Sequence, residues 1–220
     1  MILALLLAAA EPETAIDAER AFARDAITEG TWTAFLKWAD DEAIVFTPQP
    51  SKAHEVFKEL ENPPIPIIWW PGRSYVSCDG EVAINTGPWV HEEGRQIGFF
   101  TTVWVKKGGK WRWVYDGGNT TEKLRAEGGD IKPIDASCSG KPSEKEKLVA
   151  DVLDPHSDED GSTRASPEAS NGQSPDGTLS WSWAVDEKGA RHFVAQLWTG
   201  KDYETVIEDR VPAPSPASAQ

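Results

Sequence analysis

The chain has 220 residues, of which 39% are hydrophobic and 11 are Trp, enough for one large domain, or one domain with an appendage, around a sizeable core. Its formal net charge of −14 repels phosphate backbones and anionic lipid headgroups, so nucleic acid and membrane surfaces are set aside as partners. The two Cys, Cys78 and Cys138, stand in no CxxC and beside no His cluster, which argues against zinc; they can pair in an oxidising compartment, and sequence leaves a disulfide and two free thiols equally open.

Residues 1–10, MILALLLAAA, form an apolar run closing on small residues, as a secretory signal peptide does before cleavage near Ala10-Glu11. The run is too short to span a membrane. No basic residue precedes it, so an apolar arm tucked onto the domain is the alternative. Thr14, with Asp17 three residues on, reads as a helix cap. Ala15, Ala18, Phe22 and Ala26 then recur at helical spacing, and Gly30 stops the helix. Thr31 opens a second short helix carrying Trp32, Phe35, Leu36 and Ala39 on one side; the acidic run 40–42 ends it, and 43–46 read as a strand. Residues 51–61 suit a third helix, capped by Ser51, with Val56, Phe57 and Leu60 inward, stopped by Pro63, Pro64 and Pro66. Residues 67–70 and 75–77 supply strand material.

The most strongly patterned stretch runs from Cys78 to Asn119 and reads as three long strands. Asp79-Gly80 and Gly108-Gly109 are two-residue turn signals, because such turns need positive φ. A turn at Gly108-Gly109 sets Trp104 opposite Trp113, Thr102 opposite Tyr115 and Thr101 opposite Asp116. Alternation then puts Phe100, Thr102, Trp104, Trp113 and Tyr115 on one face, and Thr101, Val103, Val105, Val114 and Asp116 on the other. Both faces are largely apolar, so both are expected to be covered at least in part. Residues 120–142 read as loop. A capping box at Ser143–Glu146 predicts a helix over 143–153. Residues 154–177 hold almost nothing apolar and are expected to be a disordered linker. A β-meander follows over 178–211, with Leu179, Trp181, Trp183 and Val185 on one face of its first strand and turns at 186–189 and 199–202. Residues 212–220 are expected to be a disordered tail. One sheet cannot bury its own face, so the meander is expected to pack on residues 14–153 or on a second copy.

The opening AERAFARDAITEGTWTAFLKWADDEAIVF, the INTGPW and GFFTTVW strands and the GGKWRWVYDGG close together resemble the nuclear transport factor 2-like superfamily, in particular its SnoaL-like branch, over residues 14–118. The resemblance implies an α+β, cystatin-like cone: a curved antiparallel sheet wrapped around N-terminal helices, within a cone domain 14–153. It also implies an apolar pocket under the helices and a homodimer through the outer sheet face. Members include isomerases, dehydratases, cyclases and proteins without a known reaction. Their catalytic sets match nothing here residue by residue, so no catalytic residue is carried over.

Two titratable residues are candidates for acid–base chemistry. Asp116 ends a strand among apolar neighbours, where a carboxyl's pKa rises toward the range a general base needs; the alternative is a carboxylate capping the Gly117-Gly118 turn. His91 shares a face with Trp89 and would pair with Asp116 if within reach; the alternative is a solvent-exposed imidazole beside Glu92 and Glu93. Trp69, Trp70, Trp89 and Trp104 are candidate pocket walls, or core. Thr101, on the Asp116 face, and His54, on the third helix, are placed at the pocket too. The four His show no metal-ligand spacing, and no phosphate loop or nucleophile elbow is present, so neither metal nor cofactor is expected. The sequence thus reads as an exported binding or accessory protein for a small hydrophobic or aromatic molecule. One alternative is a cofactor-free lyase or isomerase using Asp116 and His91. Another is an interaction protein acting through its sheet face or its meander.

Overall fold

A computed structural model describes residues 11–125, 129–140, 142 and 168–214. The signal peptide expected at 1–10, the helix expected at 143–153, and most of the expected linker and tail lie outside the described residues. Helix α1 (Ala15–Thr28) begins where Thr14 accepts a hydrogen bond from the Asp17 amide at 3.1 Å and donates to its carboxylate at 2.7 Å. Its buried stripe is Ala15, Ala18, Phe22 and Ala26, and Glu19 lies in the same stripe. Helix α2 (Thr31–Trp38) follows Gly30, whose φ of 107° is a glycine conformation. Its first amides are capped from afar: the Asn62 side chain accepts from Trp32 and Thr33 at 2.7 and 3.2 Å.

Helix α3 is shorter than its sequence suggests, spanning Ala53–Phe57. Ser51 belongs instead to strand β2 (Pro50–Lys52), paired with β1 (Ala39–Phe46). The acidic run 40–42 likewise falls inside β1, where the pairing with β7 is interrupted between Ala39 and Ile44; Asp41 and Glu42 are exposed there and Lys107 meets Asp40 at 2.6 Å.

The larger sheet is completed by β3 (Ile68–Trp69), β4 (Arg73–Val76), β5 (Val82–His91), β6 (Gln96–Lys107), β7 (Lys110–Thr120) and β8 (Ile134–Asp135). Its order is β2-β1-β7-β6-β5-β4-β8, with β3 on β5. The sheet is mixed rather than wholly antiparallel, because β1 runs parallel to β7 and β8 parallel to β4. Strand β8 lies in a stretch that reads as loop. The expected turn at Gly108-Gly109 is present, with φ of 57° and 79°.

The pairing of β6 with β7 starts as expected, with Trp104 opposite Trp113, and then slips by one residue. Val103 faces Tyr115 and Thr102 faces Asp116. Val114 is the extra residue of a β-bulge, and a bulge inverts every later side chain on its strand. Tyr115 therefore leaves the face of Trp104, and Asp116 joins it. This corrects the face assignment drawn from simple alternation.

The helices cover one face of this sheet, where Phe22, Trp38, Trp69, Phe100, Trp104 and Trp113 form the first core. The opposite face carries Val82, Ile84, Val103 and Tyr115. A second antiparallel sheet packs on it, with order β12-β11-β10-β9. Its strands are β9 (Glu168–Gln173), β10 (Leu179–Val185), β11 (Arg191–Trp198) and β12 (Tyr203–Val211). Leu179, Trp183, Val185, Phe193, Leu197 and Ile207 fill the second core, each contributing roughly 1.5–3 kcal/mol when fully buried.

Strand β9 is a correction to the disordered linker. Its polar residues hide no face, but they complete the free edge of β10, and the Trp181 ring lies over Gly172. The outer sheet face, which the resemblance assigned to a homodimer, is thus occupied by the chain's own second sheet. Cys78 and Cys138 are joined as a disulfide across 60 residues of sequence.

Candidate functional site

The helix-covered side of the larger sheet, with α2 and α3, lines an open cavity of about 490 Å3. Its walls are rich in rings, among them Trp32 and Phe35 from α2, Phe57 from α3, Trp69 from β3, Trp89 from β5, and Phe99 and Phe100 from β6. This is the size and character of a small-molecule site, for which roughly 300–1,000 Å3 is usual. Trp89 is held in its place from two sides. Its Nε1 donates to the Phe99 carbonyl at 3.1 Å. Its ring covers Gly98, where an added Cβ would meet ring atoms at 2.1 Å.

Two charged groups interrupt the apolar wall. Of the described lining residues, Asp116 alone is acidic and Arg191 alone is cationic. The bulge at Val114 turns Asp116 into the cavity, and the Thr102 hydroxyl donates to its Oδ2 at 2.7 Å. Burial raises its pKa to about 7, against the opposing pull of the Thr102 hydrogen bond and the positive charge of Arg191. Arg191 comes from the start of β11 in the second sheet. Its guanidinium lies 4.5 Å from the centroid of the Phe46 ring and donates to the Gly118 carbonyl at 2.7 Å. Gly117 and Gly118, following Asp116, bring backbone without side chains to this wall.

Behind the wall lies a carboxyl that the sequence reading did not single out. Glu19 is fully buried on α1. Trp69 Nε1 donates to its Oε1 at 2.8 Å, and Trp104 Nε1 and Asn85 Nδ2 donate to its Oε2 at 2.7 and 3.2 Å. Burial raises its pKa to about 7, opposed by these hydrogen bonds. Glu19 fixes the ring planes of two tryptophans, one of them a cavity wall. Its signal was available: it stands four residues after Ala15 and three before Phe22, inside the apolar stripe.

The structure separates the expected Asp116–His91 pair. Asp116 stands in the row of Thr102 and Asn85, whereas His91 lies six residues further along β5, about 20 Å away at the rise of a strand. Its Nε2 is 3.3 Å from the Ile65 carbonyl.

Trp69 and Trp89 line the cavity; Trp70 and Trp104 are not among its described lining residues, and Trp104 is core. Thr101 faces the second sheet, since it and Asp116 fall on opposite faces once the bulge is counted. There its hydroxyl donates to Asp209 at 2.7 Å, in a cluster with Thr86 and Arg125. His54 is also absent from the described walls, and its buried Nε2 makes no hydrogen bond. Among the described residues no group of three His, Cys, Asp or Glu side chains is placed to hold a metal ion.

A curved sheet wrapped on one side around N-terminal helices, with an apolar cavity between them, is the α+β cone of the nuclear transport factor 2-like fold. That is the architecture the sequence resemblance implied. No protein-family model and no curated protein matches the sequence. Among solved structures, the chain is similar to a candidate aromatic ring hydroxylase from Novosphingobium aromaticivorans. The identity is 15%, over 50% of this chain and 89% of the other, with a TM-score of 0.34. It is also similar to a type 2 hexachlorocyclohexane dehydrochlorinase, at 14% identity over 53% of this chain and 96% of the other, with a TM-score of 0.31. Likenesses this remote carry no argument, and the fold rests on the geometry above.

Proposed function

We propose that the protein binds a small, ring-bearing apolar molecule in the helix-covered cavity and engages one polar group of it with Asp116. The observation that carries this reading is the cavity of about 490 Å3, rich in aromatic rings, with one carboxyl among its described lining residues. A protonated Asp116 donates a hydrogen bond to a ligand oxygen, and an ionised one accepts from a ligand hydroxyl. Isothermal titration of the full chain with 2-naphthol tests it. Binding with a one-to-one stoichiometry is expected, weakened severalfold by Asp116→Asn with no loss of fold. No heat of binding, or affinity unchanged in Asp116→Asn, would set the reading aside.

A second reading, a cofactor-free lyase or isomerase, is favoured by one feature. A carboxyl with a pKa of about 7 in an apolar cavity is poised to take a proton from carbon and return it. Asp116 would act without His91, which stands too far along β5 to share the work. Exchange of a ligand C–H proton for solvent deuterium, abolished in Asp116→Asn, separates catalysis from binding. Export is part of the same proposal. The Cys78–Cys138 disulfide supports it, since such bonds persist in oxidising compartments.

A further inference from the structure

We propose that Arg191 makes the cavity selective for anionic ligands: a flat apolar body bearing one carboxylate, seated with that carboxylate on the Arg191 guanidinium. The proposal rests on the cavity being a ligand site, as argued above. Arg191 is the lone cation among the described lining residues. Its guanidinium is oriented on two sides, by the Phe46 ring beneath it and by the Gly118 carbonyl that accepts from Nη2. Among the described residues that is its one hydrogen bond, and no carboxylate stands within 4.0 Å of it.

A guanidinium carries five N–H donors. Most of this fork is therefore left for a partner from outside. A partly buried charge without a direct ion pair is costly: desolvation lowers the Arg191 pKa, and the more distant Asp116 and Asp209 only oppose that shift. A carboxylate relieves that cost, and its planar pair of oxygens matches the fork. Asp116 on the same wall makes no direct ion pair with Arg191, and burial raises its pKa to about 7, so in its protonated form it can donate to the same ligand carboxylate. The apolar walls favour one delocalised negative charge over a doubly charged phosphate. The anchor comes from the second sheet, so the part of the chain beyond the cone supplies the selectivity of the cavity inside it.

The test compares two ligands with the same two-ring body, 2-naphthoate and 2-naphthol, titrated calorimetrically into the full chain just below neutral pH. A charge-assisted, bidentate contact predicts that naphthoate binds about tenfold tighter or more. Arg191→Gln keeps an N–H for the Gly118 carbonyl and removes the charge. It should bring the two affinities together by weakening naphthoate alone, while naphthol stays within about twofold. Arg191→Lys should keep part of the preference.

Equal affinities in the unaltered protein would overturn the proposal, and so would a preference that survives Arg191→Gln. Either result would leave Arg191 as a tie between the second sheet and β7. If Arg191→Gln fails to fold, the ratio in the unaltered protein and in Arg191→Lys decides. Naphthol binding without any naphthoate preference removes only the Arg191 proposal. If neither compound binds, the cavity reading falls and this one with it.

Discussion

Replacing Glu19 by Gln should cost stability at low pH, and that cost should vanish or reverse at high pH. The glutamate accepts from three donors, with Trp69 Nε1 on one oxygen and Trp104 Nε1 and Asn85 on the other. Gln keeps one acceptor oxygen and puts an NH2 where the second oxygen was, so at least one indole N–H is left facing a donor. An unsatisfied buried donor costs about 1–3 kcal/mol. That is the expected loss at about pH 5, where burial keeps the native Glu19 protonated.

The folded pKa of Glu19 is raised from 4.5 to about 7. The native state therefore binds more protons than the unfolded chain between those values. Its stability contribution is full below pH 4.5 and is lost as pH rises to about 7. At 1.36 kcal/mol per pH unit, the loss is on the order of 3 kcal/mol. Gln does not titrate and escapes it. Glu19→Gln should thus be the less stable form at about pH 5, and equal to or more stable than the unaltered protein at about pH 8. Urea unfolding followed by Trp fluorescence at the two pH values measures both differences. A stability difference that does not change with pH would refute the argument, because it would mean that Glu19 titrates alike in the folded and unfolded chains.

Two further outcomes bear on how the second sheet is held. Asp209 pairs with the Arg125 guanidinium and accepts from Thr101 across the two sheets. Asp209→Ala leaves that guanidinium unpaired and should cost about 3–5 kcal/mol, seen as a shift of the urea midpoint; a shift below about 1 kcal/mol would show that water replaces the carboxylate. Reducing the Cys78–Cys138 bond, or replacing both Cys by Ser, frees a loop of 60 residues and should cost about 4 kcal/mol in the chain-entropy model. Unreduced, unfolded protein should titrate no free thiol, and two free thiols would contradict the bond.

What could be read from the sequence was local. Thr14 and Asp17 capped α1 as their spacing required, and the alanine-rich stripe faced the core. Gly108-Gly109 made its turn because two successive residues there need positive φ. The alternation of Leu179, Trp183 and Val185 marked a buried strand face. Each of these depends on a few neighbours in sequence and on the period of one element.

The site depended on contacts that no local pattern encodes. The bulge at Val114 has no glycine or proline to announce it, yet it alone decides that Asp116 enters the cavity while Thr101, expected beside it, faces the second sheet. His91 and Asp116 share favourable chemistry, but their distance follows from strand register. Strand β9 lacks apolar periodicity and exists because β10 offers it an unpaired edge. Glu19 stands on the buried face of α1 by its own spacing, but only the fold brings three donors to it from β3, β5 and β6. Arg191 lies more than seventy residues from Gly118 in the chain, and its place at the cavity was decided only when the second sheet docked. Backbone propensity and side-chain period act within a turn or a strand; the position of a charged group relative to a cavity is set by long-range pairing and packing, and only the tertiary structure decides it.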